Sequence, residues 1–149
     1  MSKYQLKPAT KNIDFAHIVF IQKNDGYQHA YYLTEDRIER LLEAGEKFYI
    51  LYDDEQFVGM ACVDAEIRIQ LHFFSVMEKF QKTGAAVKML ELLLEKVRSE
   101  KVQHKTMHCF TEEDSPLLKF LLSQGFEQVG FYKNRYQTGK DAVIVEKKL

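Results

Sequence analysis

The sequence of 149 residues has no tryptophan, only two cysteines and two prolines, and no long hydrophobic run. Cys62 and Cys109 show no metal-ligand spacing, so we exclude a disulfide-stapled fold and a cysteine zinc site and interpret both as reduced core residues. The lack of an apolar run of about 18 residues excludes a transmembrane helix. The polar start, Met-Ser-Lys-Tyr, has no targeting or lipidation motif, so we expect a cytoplasmic protein.

Neither sign of charge dominates, since 21 basic and 22 acidic residues give a net charge of −1. This balance provides no general attraction to nucleic acid or to an anionic membrane, which disfavours a nucleic-acid-binding domain. A hydrophobic content of 46% over residues 1–149 fits one domain with its own core. Selectivity must therefore come from a local site.

Hydrophobic periodicity and turn residues predict elements in the order β-α-α-β-β-β-α-β-α-β-β. Thr34 and Ser115 have the character of helix N-caps, and Gly45 and Gly125 that of helix ends. Helical spacing places Phe20 on a buried face of the first helix and includes Val87 in the apolar repeat of the third. The predicted strands are Tyr4–Lys7, Phe48–Tyr52, Phe57–Val63, Ile67–Val76, Thr106–Phe110, Phe126–Tyr132 and Ala142–Glu146.

The most informative segment joins the strand that ends at Val76 to the third helix through Gly84, Ala85 and Ala86. These small residues leave the first helical turn without bulk. An anion can therefore approach the free backbone N–H groups and the positive end of the helix dipole. The segment predicts a phosphate-binding turn.

This segment resembles motif A of the GCN5-related N-acetyltransferase (GNAT) family, whose Gln/Arg-x-x-Gly-x-Gly/Ala signature is matched by Gln81, Gly84 and Ala86. Val76 also stands at the family's position, eight residues before the glycine. The order of elements and the Gly125-Phe126 step agree with the family, so the resemblance covers essentially the whole chain. It implies an α/β fold with a mixed sheet of about seven mostly antiparallel strands, about four helices, and strands four and five parallel.

The resemblance implies acetyl-CoA as the cofactor, held where strands four and five splay apart. The backbone of Phe74, Ser75 and Val76 would pair with its pantetheine and acetyl group. Asp114 stands where the family has an asparagine that contacts pantetheine; its alternative role is a helix-cap carboxylate. Lys82 is interpreted either as a charged contact or as a solvated lysine. The residues expected to cradle the pyrophosphate are Gln81, Lys82, Thr83, Gly84, Ala85 and Ala86.

Acetyl transfer to an amine needs an uncharged nitrogen, a donor that polarises the carbonyl, and an acid for the leaving thiolate. Leu121 stands where many family members have the acidic tyrosine, and Cys109 where the ribosomal-protein acetyltransferases have a basic glutamate. His72, four residues before Val76, is the candidate general base or water relay, because the arylalkylamine acetyltransferases have a histidine there. The alternative is a structural histidine bonded within the sheet.

Other polar and aromatic residues are weaker candidates. The acid is water or a tyrosine of the last hairpin, Tyr132 or Tyr136. Glu112 and Glu113 either attract a cationic amine or form a solvated loop, and His108 is interpreted as a core or surface residue. Four residues between the first two helices either line an acceptor pocket or anchor their loop: Tyr27, His29, Tyr31 and Tyr32.

We expect an acetyl-CoA-dependent N-acetyltransferase in which a primary amine of a small molecule or a protein N-terminus attacks directly in a ternary complex. Leu121 and Cys109 motivate the alternative of a non-catalytic acyl-CoA sensor or docking module on the same fold. The expected partner is the amine substrate, without nucleic acid, membrane or metal. The sequence leaves the oligomeric state open between a monomer and a homodimer, with Ala142–Val145 as a candidate edge strand for pairing.

Overall fold

The computed structural model describes residues 3–25, 33–65, 68–100, 106–133 and 139–149. The predicted order of elements is confirmed, and a single 3₁₀ turn, Glu78–Phe80, is added before the third helix. The elements are β1 (Tyr4–Pro8), α1 (Asn12–Lys23), α2 (Glu35–Glu43), β2 (Lys47–Asp53), β3 (Gln56–Asp64), β4 (Ile69–Val76), α3 (Ala85–Ser99), β5 (Thr106–Glu112), α4 (Pro116–Ser123), β6 (Glu127–Tyr132) and β7 (Ala142–Lys148).

The seven strands form one mixed sheet in the order β1-β2-β3-β4-β5-β7-β6. The predicted parallel pair is confirmed, since β4 and β5 run parallel and the other neighbouring strands antiparallel. The prediction that Ala142–Val145 forms an edge is wrong, because β7 lies between β5 and β6 and pairs with both. Burial explains this placement: Ala142 and Val145 are fully buried in β7, whereas Phe131 of β6 is 64% exposed.

Helices cover the sheet on both sides, and each side has its own hydrophobic core. We call the sides the α3–α4 face and the α1–α2 face. Phe74 and Val76 of β4 belong to the α3–α4 face, whereas Phe73 packs on the α1–α2 face. The prediction that Phe20 is buried is wrong, since its side chain is 49% exposed, and Val87 of the apolar repeat in α3 is 38% exposed.

The helix ends follow the predicted cap chemistry. Thr34 Oγ1 accepts a hydrogen bond from the Arg37 N–H at 3.2 Å, and Ser115 Oγ accepts one from the Leu118 N–H at 3.1 Å. Ser115 rather than Asp114 is therefore the cap of α4, with proline at the first helical position. Within the described residues, no helix is long and apolar enough to cross a membrane.

Candidate active site

The sheet opens between its two parallel strands. Pairing between β4 and β5 runs from Ile69 with Met107 to Leu71 with Cys109. Beyond that point β4 continues to Val76 and β5 to Glu112 without further pairing between them. Residues 72–76 therefore keep β3 as their neighbour on one side and have an open edge on the other.

A β-bulge lies where the opening begins. Leu71 pairs with Val63 and Phe73 pairs with Cys62, so His72 is an extra residue in β4. The two residues of a bulge that oppose one partner point to the same side of the sheet, and the bulged strand bends. His72 and Phe73 thus share the α1–α2 face with Cys62. Because of the bulge, His72 lies on the face opposite to Phe74 and Val76, and β4 bends where it separates from β5.

The backbone of the open half of β4 alternates between β3 and the opening. The Met77 N–H donates to Val58 O at 3.0 Å, so backbone alternation directs Ser75 toward β3 and directs Phe74 and Val76 toward the opening. The hydroxyl of Ser75 is buried and has no hydrogen-bond partner within the described residues.

The turn that follows β4 is held against the end of the strand. Gln81 Nε2 donates to Val76 O at 2.8 Å, and Thr83 Oγ1 donates to Phe80 O at 2.6 Å. The side chains of Gln81 and Thr83 are therefore occupied within the turn. Their role there is to position the backbone between β4 and α3.

Gly84 is the N-cap of α3 and has a left-handed backbone with φ +85°. A Cβ at Gly84 would meet no atom within 4 Å, so the residue faces open space. The first bond of the helix runs from the Lys88 N–H to Gly84 O at 3.0 Å. The N–H groups of Ala85 and Ala86 precede that bond and have no intrahelical acceptor, while their methyl groups are buried. The geometry is that of the predicted anion-binding turn.

Two carboxylates stand beside the histidine of the bulge. His72 Nε2 lies 3.5 Å from Glu46 Oε1, and Glu46 Oε2 accepts a hydrogen bond from the Cys62 thiol at 3.0 Å. Ligand atoms of Glu46, Asp64 and His72 all lie within 4.8 Å of one another. We call Glu46, Cys62, Asp64 and His72 the His72 cluster.

The Cys62 thiol serves this cluster as a donor. Its burial raises the pKa of the thiol, and the hydrogen bond to Glu46 and the charges of Glu46 and Asp64 raise it further. The thiol therefore stays protonated and holds one oxygen of Glu46, which leaves the other oxygen facing His72.

The positions that depart from the family pattern lie on the other face. Leu121 is fully buried in the core of the α3–α4 face. Cys109 belongs to the same core, and burial raises the pKa of its thiol to about 12. Neither side chain shares a face with His72. His108 does share it, and its Nε2 lies 3.1 Å from Glu146 Oε2 on β7.

The remaining sequence candidates are dispersed. Asp114 is exposed in a left-handed conformation with φ +59° between β5 and α4. Glu113 binds the start of β7, since its carboxylate accepts from the Asp141 N–H at 3.3 Å. Tyr132 is 56% exposed on the edge strand. Five candidates lie outside the described residues: Tyr27, His29, Tyr31, Tyr32 and Tyr136.

Sequence reasoning missed Glu46 and Asp64. Glu46 comes just before β2 and Asp64 ends β3, and a charged residue at the end of a strand is a common surface pattern and a weak signal. The pair Asp53–Gln56 beside the turn and the pair Lys47–Val63 at the far end of the hairpin differ in register by one residue. A second bulge therefore lies within the β2–β3 pair. Continued from Lys47, this register brings Glu46 opposite Asp64 on the α1–α2 face. If the register beside the turn continued without the bulge, Glu46 and Asp64 would lie on opposite faces of the sheet.

Comparison with known families decides the identity of this fold. Residues 13–126 match the model of the acetyltransferase (GNAT) family. The chain belongs to the acetyltransferase (GNAT) family. It is a GNAT-type N-acetyltransferase, and its cofactor is acetyl-CoA. Comparison with the sequences of curated proteins finds no significant match.

Solved structures of other acetyltransferases share the fold at low sequence identity. A ribosomal-protein alanine N-acetyltransferase of Escherichia coli is 17% identical with a TM-score of 0.82, covering 97% of this chain and 93% of that one. A mutant spermidine N-acetyltransferase of Vibrio cholerae is 13% identical with a TM-score of 0.77, covering 99% and 95%. A GNAT acetyltransferase of Elizabethkingia anophelis with acetyl-CoA bound is 16% identical with a TM-score of 0.71, covering 100% of both chains.

Proposed function

We propose that this acetyltransferase forms one domain over residues 1–149 and transfers an acetyl group to a primary amine by direct attack in a ternary complex. The acceptor is a small molecule or a protein N-terminus. The observation that carries the proposal is the position of His72, at the bulge where β4 separates from β5. There a basic side chain on one face of the sheet lies next to an open strand edge.

The opening fits acetyl-CoA in three respects. The backbone of Phe74 and Val76 faces the gap, and the Ser75 hydroxyl is a buried polar atom without a partner among the described residues. The exposed Gly84 turn leaves the N–H groups of Ala85 and Ala86 accessible to a pyrophosphate. We assign these residues to cofactor binding. Lys82 and Asp114, both exposed, are assigned outer contacts, and Gln81 and Thr83 position the turn.

When bound, acetyl-CoA supplies the thioester carbonyl that the amine attacks and the thiolate that leaves. An amine reaches the enzyme mostly as an ammonium ion. The carboxylates of Glu46 and Asp64 attract that cation, and their distances to His72 bring it to the base. They favour a cationic acceptor over a neutral one.

His72 takes the proton from the ammonium ion. Its Nε2 is buried against Glu46, while the side chain as a whole is 30% exposed. The proton therefore goes to Nδ1, directly or through one water. The Glu46 carboxylate, 3.5 Å from Nε2, then stabilises the imidazolium.

The leaving thiolate takes its proton from water, and that water is restored by the second proton that the amine nitrogen loses as the amide forms. Leu121 is buried and has no proton to give, and the Cys109 thiol lies on the opposite face. A thiol has a pKa of about 8.5 in water, so the thiolate is a good leaving group without a tyrosine beside it.

The second candidate is an acyl-CoA sensor or docking module that binds the cofactor without turnover. The burial of Leu121 at the family's tyrosine position is the observation that favours it. Cofactor binding is common to both candidates, so turnover is the property that separates them.

The decisive experiment measures thiol release from acetyl-CoA with a panel of amines that contains polyamines, arylalkylamines, amino acids and peptides with free N-termini. Release stimulated by one class establishes the transfer and the acceptor class together. If no amine stimulates release while calorimetry shows acetyl-CoA bound, the sensor replaces the transferase. If acetyl-CoA does not bind at all, the assignment of the Gly84 turn is wrong.

A further inference from the structure

We propose that the His72 cluster binds a divalent transition-metal ion of the zinc class, held by His72 Nε2 and one carboxylate oxygen each from Glu46 and Asp64. This site goes beyond acetyl transfer and differs from the sequence-based expectation of a protein without a metal. Its signal is in the tertiary structure, because the three ligands come from the residue before β2, the end of β3 and the bulge of β4.

The donor set and its spacing fit this ion. One imidazole and two carboxylates form a ligand set that zinc accepts, with bonds of about 2.0–2.2 Å. Such bonds in a tetrahedron place ligand atoms about 3.4 Å apart. His72 Nε2 and Glu46 Oε1 are already 3.5 Å apart, and all three ligand atoms lie within 4.8 Å. Small rotations of partly buried side chains close the remaining distance.

Burial at His72 supports the same reading. Nε2 is inaccessible to solvent and makes no hydrogen bond within the described residues, although a Glu46 oxygen lies 3.5 Å away. A buried polar atom without a partner is costly, and a metal ion would satisfy it. Coordination would also neutralise part of the negative charge of Glu46 and Asp64.

Cys62 orients one of the three ligands, Glu46. Its thiol holds Glu46 Oε2 at 3.0 Å, which leaves Oε1 oriented toward Nε2. Such outer contacts that orient a metal ligand commonly contribute a factor of about 10–100 to affinity. The fourth position of the ion stays open for water. Glu46 also lines a surface cavity of about 380 Å³.

The experiment is a calorimetric titration of the chelator-treated protein with zinc chloride, repeated with cobalt(II) and followed by visible absorption. We expect one ion per chain, and at least about tenfold weaker binding in each of His72→Asn and Asp64→Asn. Magnesium should not compete, because it prefers oxygen ligands in octahedral geometry.

His108→Asn is the matched control. His108 lies on the same face with a carboxylate 3.1 Å from its Nε2, but no third metal-ligating side chain joins that pair within the described residues. Its zinc affinity should stay within about twofold of wild type, well below the effect of losing a ligand. Absence of zinc binding, or equal losses in the His108 and His72 variants, overturns the proposal. Using both His72→Asn and Asp64→Asn guards against one variant that fails to fold.

A consequence for activity rests on the proposed function. A metal on Nε2 leaves the imidazole proton on Nδ1, so His72 no longer accepts a proton there. Zinc should therefore inhibit acetyl transfer, and a chelator should restore it. Calorimetry and cobalt absorption do not need turnover, so a protein that transfers nothing still tests the metal site.

Discussion

Two histidine–glutamate pairs lie on the α1–α2 face of neighbouring strands, and they differ in their backbone surroundings. The Nε2–Oε distances are 3.5 Å for His72 with Glu46 and 3.1 Å for His108 with Glu146, and the histidine side chains are 30% and 34% exposed. His108 sits in a continuous ladder, paired with Gln70 on one side and Glu146 on the other. His72 is the bulge where that ladder ends. The interruption of the sheet, rather than the residue types, makes one pair a candidate for catalysis.

The substitution with the largest expected effect removes the candidate base at the opening. His72→Gln should lower kcat about 10²- to 10⁴-fold, the usual contribution of a general base. The affinity for acetyl-CoA should stay unchanged, because the Gly84 turn is untouched. Steady-state kinetics with the amine found active in the panel, together with calorimetry, separates the two quantities.

His108→Gln is the counterpart in the closed ladder and should retain kcat within about twofold, because it removes no proton acceptor from the opening. Equal losses in the two variants would mean that the opening does not distinguish the pairs. A wild-type rate in His72→Gln would remove His72 from the mechanism.

A negative charge at the Gly84 turn tests whether the open end of the sheet binds the pyrophosphate. Gly84→Asp places a carboxylate at the end of α3 where a pyrophosphate would bind, and should weaken acetyl-CoA binding about tenfold or more through like-charge repulsion. Gly84 and Gly139 are both exposed, with φ of +85° and +79°, and a Cβ at either meets nothing within 4 Å. Aspartate tolerates this conformation at a cost of about 1 kcal/mol.

Gly139→Asp in the segment before β7 is therefore the control. Urea unfolding should show a similar loss of unfolding free energy in Gly84→Asp and Gly139→Asp. Calorimetry should show a larger loss of acetyl-CoA affinity in Gly84→Asp. Equal affinities would show that the anion does not bind at the helix start.

The prediction with the smallest expected effect on kcat concerns Leu121, which stands where many family members have the acidic tyrosine. Leu121 is fully buried against the core beneath β5 and β7, so Leu121→Tyr should overpack it and cost about 1–3 kcal/mol of unfolding free energy without raising kcat. Leu122 is 43% exposed on the same helix, and Leu122→Tyr should change stability by less than about 0.5 kcal/mol. A rise in kcat for Leu121→Tyr would show that the position reaches the leaving thiolate after all.

Local chemistry explains what was predictable. Thr34 and Ser115 cap helices as expected because capping depends on residues within one turn. The open Gly84 turn was predictable because small residues at a strand-to-helix junction leave the first N–H groups of the helix accessible, and anion binding there stays a prediction. Phe20 was misplaced, since helical spacing alone does not say how far a neighbouring loop or sheet extends over a helix face.

The cluster around His72 was not predictable in the same way. Side chains alternate along a strand, so one inserted residue reverses the face of every residue beyond it. The bulge between β2 and β3 decides that Glu46 and Asp64 share a face, and the bulge at His72 puts that histidine on the face opposite to Phe74 and Val76. Gly59 adjoins the bulge between β2 and β3, whereas no glycine adjoins the bulge at His72.

The amino-acid sequence by itself determined the order of elements, the helix caps, the open small-residue turn at Gly84 and the family, because each depends on residues close together in the chain. Only the tertiary structure decided the edge position of β6, the point where β4 and β5 separate, and the side chains that meet at His72. These features depend on strand register between distant segments. Register follows from how a whole sheet buries its two faces, which no local pattern specifies.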